Sequence, residues 1–304
     1  MQTSIGISIV TYNSAETIID CLTSLEQTRY KEKEIIIIDN HSTDETKALI
    51  NKYFPRINIV VNKQNVGFAA AHNQAIKIFL KQKKEYILLL NPDTIAKSNL
   101  LEELIKPFAQ DEKIAITGPI ITYREKPNTI WFAGGIYNKF FCFTRHPHMN
   151  KVVKQARIKA GEVDFITGAC LIVRSIALKK VGLLPEKYFL YFEDSFFCQE
   201  VRKKAFSCYL VNKPLLFHHV SSSTGNAGTN QMNNIRAYYF ARNPLLYIAE
   251  QTNPLLKCTK YFGQFFIRLP HYIWQISNEK NLAALSFYLR GIKDGLRGRN
   301  GKGL

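Results

Sequence analysis

The sequence predicts an α/β fold, a mostly parallel central sheet with helices packed on it, followed by a helical C-terminal extension. Short apolar runs alternate with helix-periodic segments through the first 120 residues, three of those runs end in polar residues, and beyond residue 230 the pattern turns to aromatic and basic residues at helical spacing. The 304 residues are 46% hydrophobic and 21% charged, which excludes a disordered or fibrous chain. A net charge of +17 points to anionic partners: nucleic acid, an anionic membrane surface or a phosphorylated small molecule.

Ile5 to Val10 reads as a strand, and Thr11-Tyr12-Asn13-Ser14 supplies the turn and N-cap of a helix carrying Ile18, Ile19, Leu22 and Leu25. The unit repeats. Glu34 to Ile38 is broken by Asp39-Asn40-His41-Ser42-Thr43-Asp44 before a helix through Lys47 to Tyr53. Ile57 to Val61 then leads through Asn65-Val66-Gly67-Phe68 into a helix with Ala70, Asn73, Ile76 and Phe79 on its apolar side. Tyr86 to Leu90 is the fourth strand and stops at Asn91-Pro92, since proline cannot donate to a sheet ladder. Leu100 to Phe108 is its helix, and Ile114 to Thr117 a fifth strand.

The polar ends Thr11-Tyr12-Asn13, Asp39-Asn40 and Asn91-Pro92-Asp93 share one rim, where open α/β sheets bind ligands and where a nucleotide is the usual occupant. Asp93 is placed there for a ligand or a metal, or else caps the next helix. No G-x-G-x-x-G follows the first strand and no G-x-x-x-x-G-K-[ST] occurs, which argues against a dinucleotide dehydrogenase and a P-loop ATPase.

From Tyr123 to Gly161 the periodicity is lost among aromatic and basic residues, including Trp131, Tyr137, Phe140, His146 and His148. This is either a surface excursion with its own small cluster or a wall over an acceptor site. A strand from Phe165 to Arg174 contains a Gly168-Ala169 step that lets backbone approach a ligand closely. The aromatic run Tyr188 to Phe192 ends in Glu193 and Asp194, which open a helix through Ala205. Helix-dipole compensation accounts for one acid; a carboxylate against apolar walls has its charged form disfavoured, as a general base requires. Cys208 to Val211 and Leu215 to Phe217 complete the sheet, and His218-His219 precede the hydroxyl run at 221–224. A histidine there ligates a metal, contacts phosphate, or is a satisfied structural group.

The six cysteines form no C-x-x-C pair and several sit in apolar runs, which fits reduced thiols in a reducing compartment. The first residues do not read as a secretory signal, and no run of eighteen apolar residues occurs. The expected location is cytoplasmic.

Val10-Thr11-Tyr12-Asn13, Ile38-Asp39-Asn40-x-Ser42-x-Asp44, Asn65-x-Gly67-Phe68, Leu90-Asn91-Pro92-Asp93, Thr167-Gly168-Ala169, Phe192-Glu193-Asp194 and His219-x-x-Ser222 resemble, in order, the motifs of family 2 glycosyltransferases. The similarity looks closest to bacterial rhamnosyltransferase-like members that build surface polysaccharide, and it extends to the tail Gly291 to Arg299. It implies a GT-A fold and inverting transfer of a sugar from a nucleoside-diphosphate donor, dTDP-rhamnose or a UDP-hexose, to a glycan or lipid-linked acceptor. By that resemblance Thr11, Tyr12, Asn13, Asp39, Asn40, Gly67, Asn91 and Asp93 bind the donor. Asp93 with His219, or its neighbour His218, holds Mg²⁺ or Mn²⁺; Asp194 is the catalytic base; and Gly168, Ala169, Glu193 and Trp131 meet the acceptor. The family's Asp-x-Asp is here Asn91-Pro92-Asp93, so one carboxylate is replaced by an amide and metal is expected to be held weakly without the donor's phosphates. The Gln-x-x-Arg-Trp motif of processive members is absent, which favours single addition.

The expected organisation is a catalytic domain over residues 1–230, split near 120 into nucleotide-binding and acceptor halves, and an extension over 231–304. The extension carries eleven Lys or Arg against three acids, +8 of the total +17, interleaved with Tyr261, Phe262, Phe265, Phe266 and Trp274. Basic amphipathic helices of this kind lie on anionic membranes, so the extension is expected either to bind the inner membrane face or to pack on the catalytic domain. The two alternatives to glycosyl transfer are a sugar nucleotidyltransferase and a basic binding module without catalysis. The basic residues are scattered and no zinc-finger or RNP-type motif occurs, so nucleic acid is not an expected partner.

Overall fold

A computed structural model describes residues 4–219, 232–279 and 281–304. The first half is built from β1 (Ile5–Thr11), α1 (Ile18–Glu26), β2 (Lys33–Asp39), α2 (Thr46–Tyr53), β3 (Asn58–Val61), α3 (Phe68–Lys81), β4 (Tyr86–Leu90), β5 (Thr94–Ala96) and α4 (Leu100–Ile105). Strands β3, β2, β1 and β4 lie side by side in parallel, with Ile7 opposite both Ile35 and Leu88. Helices cover both faces, so Ile5, Ile7, Ile9 and Ile87 to Leu90 are all fully buried, and β4 reads as an unbroken apolar run. Gly6 lets α3 close onto β1, because a Cβ there would come within 2.5 Å of the Phe79 ring.

The second half continues with β6 (Ile114–Tyr123), β7 (Ile130–Phe132), β8 (Ile136–Asn138), β9 (Phe143–Arg145), α5 (Val153–Ala156), β10 (Gly161–Val163), β11 (Cys170–Arg174), α6 (Ser175–Val181), α7 (Glu193–Lys203) and β12 (Ser207–His218). The main sheet runs β10-β12-β6-β11-β4-β1-β2-β3, with β11 antiparallel to both neighbours and β12 parallel to β6. Several boundaries differ from the sequence reading, among them the end of β6, at Tyr123 and not Thr117, and the end of α4, at Ile105 and not Phe108. Residues 165–169 are not in the strand, because the Gly168 amide bonds to the Asp194 carboxylate instead of a ladder partner. The two expected strands around residue 213 are one, β12, whose register shifts on either side of Pro214 take up the missing N–H.

The extension comprises α8 (Asn234–Ala249), α9 (Pro254–Phe262), a wider π-type turn, α10 (Leu269–Asn278) and α11 (Leu282–Leu296). Helix α8 is buried from Ala237 to Ile248 apart from the half-buried Phe240, with Tyr238 and Arg242 both at 0% exposure. The hydroxyl run at 221–224, Ser222 of the last resembling motif and the expected boundary at 230/231 lie outside the described residues. All six cysteines are free thiols, five of them buried.

Candidate active site

A cleft of about 430 Å³ opens at the carboxyl ends of β1, β2 and β4. Its floor carries Tyr12, Asn40, Asn91 and Asp93, one wall carries Gly168, Ala169, Glu193 and Asp194, and Trp131 and His146 line it from the stretch after β6. The extension closes it with Arg236, Tyr239 and Lys302. A more open depression of about 460 Å³ around Arg157, Lys159 and Arg202 contains none of the expected site residues.

The structure does not bring every expected donor residue to the cleft. Asp39 is fully buried, accepting the Thr11 hydroxyl at 2.9 Å and the Ser42 amide at 2.9 Å, so both of its oxygens are engaged in bracing the loop after β2. Asn13, at φ 50°, is similarly occupied, its side-chain oxygen accepting the Thr43 amide at 2.9 Å. Thr11, Asn13 and Asp39 thus support the rim, while Tyr12 and Asn40 line the cleft itself. Asn40 donates to Asn65 Oδ1 at 2.9 Å and accepts from Val66 N at 3.0 Å, which ties the loop before α3 to the floor. Gly67 borders the cleft at φ +89°, and a Cβ on it would lie 2.6 Å from the Phe189 carbonyl. Its glycine is required by the approach of that second loop, and the neighbouring Phe68 amide donates to the same carbonyl at 2.8 Å.

Asp93 is 6% exposed, and its Oδ1 faces His218 Nε2 at 3.0 Å. The expected His219 is not the residue at this carboxylate. Successive side chains at a strand end point to opposite sides. His219 therefore gives only its backbone amide to the Asp93 carbonyl (2.8 Å), and its ring turns to Glu125 at 2.7 Å. The His218 ring meets Trp131 edge-on at 4.3 Å between centroids, and its buried Nδ1 has no hydrogen-bond partner among the described residues. Among the described residues no three His, Cys, Asp or Glu gather as a complete metal cage. One carboxylate and one imidazole at the strand end nevertheless suit a hard dication that takes its remaining ligands from diphosphate oxygens and water.

Asp194 enters from the start of α7. Its Oδ2 accepts the Gly168 N–H at 2.8 Å and its Oδ1 the Ser195 N–H at 2.6 Å. Desolvation by the surrounding protein raises its pKa, and these two backbone donors oppose the rise. Glu193, 5% exposed, is pushed well above the ordinary glutamate range by burial and then by the adjacent Asp194, and its Oε2 has no hydrogen-bond partner among the described residues. The pair is thereby made unequal: Asp194 has backbone donors that favour its charged form, and Glu193 has burial and a like charge that disfavour its own.

The loop that delivers them is strained. Phe189, Tyr191 and Phe192 have φ of 64°, 67° and 70°, a region that costs a non-glycine residue about 1–3 kcal/mol each. Helix α8 holds that conformation: Arg242 Nη2 donates to the Tyr188 carbonyl at 2.7 Å, and Asn243 Nδ2 to Leu190 and Tyr191 carbonyls at 2.8 Å each. Sequence reasoning did not assign His146, Arg236, Asn243 or Lys302 to the site. His146 had a signal in its aromatic, basic neighbourhood, and burial followed by the Arg236 charge lowers its pKa to about 4. The other three come from the extension, and no local pattern ties them to the sheet.

A parallel sheet half, a mixed half and carboxylates on two sides of one cleft make an α/β fold of the GT-A type. The family model described as glycosyl transferase family 2 matches residues 7–182, and the chain belongs to that family. It is similar to the N-acetylglucosaminyl-diphospho-decaprenol L-rhamnosyltransferase of Mycobacterium tuberculosis, 24% identical over 235 residues that cover 71% of this chain and 76% of the relative. It is also 32% identical over 190 residues to the poly-beta-1,6-N-acetyl-D-glucosamine synthase of Staphylococcus epidermidis, covering 58% of this chain but only 41% of that synthase. Among solved structures, S. aureus TarS 1-349 in complex with UDP-GlcNAc superposes with a TM-score of 0.59 at 17% identity, over 98% of this chain and 82% of the other. GalNAc-T7 with UDP, GalNAc and Mn²⁺ gives 0.58 at 15% identity, over 86% of this chain and 54% of the other. The chain is an inverting glycosyltransferase acting on nucleotide sugars, which sets aside the nucleotidyltransferase and non-catalytic readings.

Proposed function

We propose that this enzyme transfers one sugar, from dTDP-rhamnose or a UDP-hexose, to a hydroxyl of a lipid-linked glycan in surface polysaccharide synthesis. The observation that carries this is one cleft with Asp194 on backbone donors at one wall and the Asp93–His218 pair on its floor. In this reading the nucleoside lies over Tyr12 and Asn40, and Gly168, Ala169, Glu193 and Trp131 form the acceptor side. Asp194 takes the acceptor proton as the hydroxyl attacks the anomeric carbon, and the nucleoside diphosphate leaves on the opposite face. Asp93 and His218 would hold a divalent cation, which supplies charge neutralisation for that leaving group. The acceptor suggestion leans on the name of the mycobacterial relative.

The extension, taken here as a unit from residue 231, would bring the cleft to the lipid. Helix α9, the π-type turn and α10 leave Leu255, Phe266 and Trp274, one from each, at 74%, 70% and 63% exposure, large apolar side chains that a soluble surface does not need. Two of the basic residues expected on that surface are inside instead: Lys260 bonds to Gln251, and Arg268 sits on Tyr272 and over the Phe192 ring. Among the described residues no helix is long and apolar enough to cross a membrane. The test is a transfer screen of UDP- and dTDP-sugars with Mg²⁺ or Mn²⁺ onto diphosphate-linked polyprenyl N-acetylglucosamine, beside cosedimentation with anionic and neutral liposomes. A donor at a hundred times its Kd should add about 2.7 kcal/mol of stability. Absence of product and of stabilisation with every donor would overturn the catalytic reading, and equal recovery from both liposome types at low salt would overturn the membrane reading.

A further inference from the structure

After α11 the chain returns to the cleft, and the path of that return is closely determined. Helix α11 lies against α8 through Gly291 and Gly295, where a Cβ would strike the Tyr238 and Arg242 carbonyls. The Arg299 amide then caps Asp294 O at 2.9 Å, and Gly298 and Gly301 turn the chain at φ +70° and +71°. Gly301 is held at both backbone groups: its N–H donates to the Lys187 carbonyl at 2.9 Å, and its carbonyl accepts from Arg242 Nη1 at 2.7 Å. Two residues on, the Gly303 carbonyl accepts from Arg290 Nη2 at 3.0 Å, and its Cα lies against the Tyr238 ring with no room for a side chain. Lys302 sits between these two anchors and lines the cleft, exposed, together with Arg236 of α8.

The cleft that these cations enter is short of positive charge for a diphosphate. Its floor offers one carboxylate for a metal where two are usual, with Asn91 as the amide, and Asp93, Glu193 and Asp194 are the acids that line it. We infer that Lys302, with Arg236, is a binding site for the diphosphate of the nucleotide donor, supplied by the C-terminal segment. This assignment rests on the reading of the cleft as a nucleotide-sugar site. A lysine ammonium is a mobile point charge suited to phosphate oxygens, and a backbone fixed on either side lowers the entropy of presenting it. The segment is thereby part of the donor site, which the expected division of the chain left to the first 120 residues.

The experiment is titration of the full chain with UDP, UMP, dTDP and dTMP by calorimetry, for wild type, Lys302→Ala, Lys302→Arg and, as a remote single-charge control on α2, Lys52→Ala. Loss of one charge-assisted contact should weaken the diphosphates by about tenfold and the monophosphates by less than about threefold. Lys302→Arg should recover most of the loss, and Lys52→Ala should bind as wild type does. Equal weakening of mono- and diphosphates, or no weakening, would overturn the assignment while leaving the cleft a nucleotide site. Wild-type protein that binds none of the four nucleotides would overturn the underlying reading, and the assignment with it.

Discussion

Replacing Asp194 by Asn tests the base directly, because the substitution changes protonation with little change of shape. The amide oxygen can still accept the Gly168 N–H now made at 2.8 Å, but the amide nitrogen then faces the Ser195 N–H and that 2.6 Å bond is lost. One lost hydrogen bond costs about 0.5–1.5 kcal/mol, and removal of a desolvated carboxylate offsets part of it, so the variant should melt within a few degrees of wild type. Without a base the transfer rate should fall by about 10²- to 10⁴-fold, a barrier increase of about 2.7–5.5 kcal/mol. The assay is single-turnover transfer to the native acceptor, with donor affinity measured separately by calorimetry. Donor Kd should stay within about twofold, since Asp194 does not meet the nucleotide in this scheme. The pH profile gives a second reading. Burial raises the Asp194 pKa, so kcat in wild type should fall as pH drops through a value above that of an ordinary aspartate. Turnover above half of wild type in Asp194→Asn, or an acid limb at the ordinary position, would refute the reasoning.

Two further outcomes are expected. Because His218 and not His219 faces Asp93, His218→Ala should raise the Mg²⁺ or Mn²⁺ concentration for half-maximal donor binding, while His219→Ala should leave it near wild type; the reverse order in a metal titration would refute the pairing. Asn243→Ala leaves the Leu190 and Tyr191 carbonyls unsatisfied at a strained loop, so urea unfolding should show a loss of about 1–3 kcal/mol. Hydrogen exchange in that variant should rise at residues 188–195 and not in β1 or β4, and global loosening instead would count against the loop as the site of action.

The sheet half was legible because its physics is local. Unbroken apolar runs such as Ile35 to Ile38 and Ile87 to Leu90 can only be strands buried on both faces, and the polar residues that end them mark the rim. The direction of side chains at those ends was not local. Asp39 reads as a cleft residue by position, yet it is fully buried with one oxygen on the Ser42 amide three residues on and the other on the Thr11 hydroxyl of the neighbouring strand. The histidine doublet shows the same limit: only the pairing of β12 with β5 and β6 decides which ring points to Asp93. Lys302 and Asn243 were silent for a different reason. The carbonyls that Asn243 binds lie 52 to 55 residues away, and Lys302 lines the cleft beside Gly301, which is tied to the distant Lys187 and Arg242.

The strained loop connects these observations into one mechanism of assembly. A run with three non-glycine residues at positive φ would relax by itself, and relaxing it would withdraw Asp194 from the Gly168 amide. Two elements prevent this from opposite sides. The Phe68 amide holds the Phe189 carbonyl, with Gly67 leaving room for it, and Arg242 with Asn243 hold the carbonyls of Tyr188, Leu190 and Tyr191 from the extension. The same Arg242 also holds Gly301, next to Lys302. One buried guanidinium thus links the loop that carries Asp194, the proposed base, to the segment that carries Lys302, the cation inferred for the leaving group.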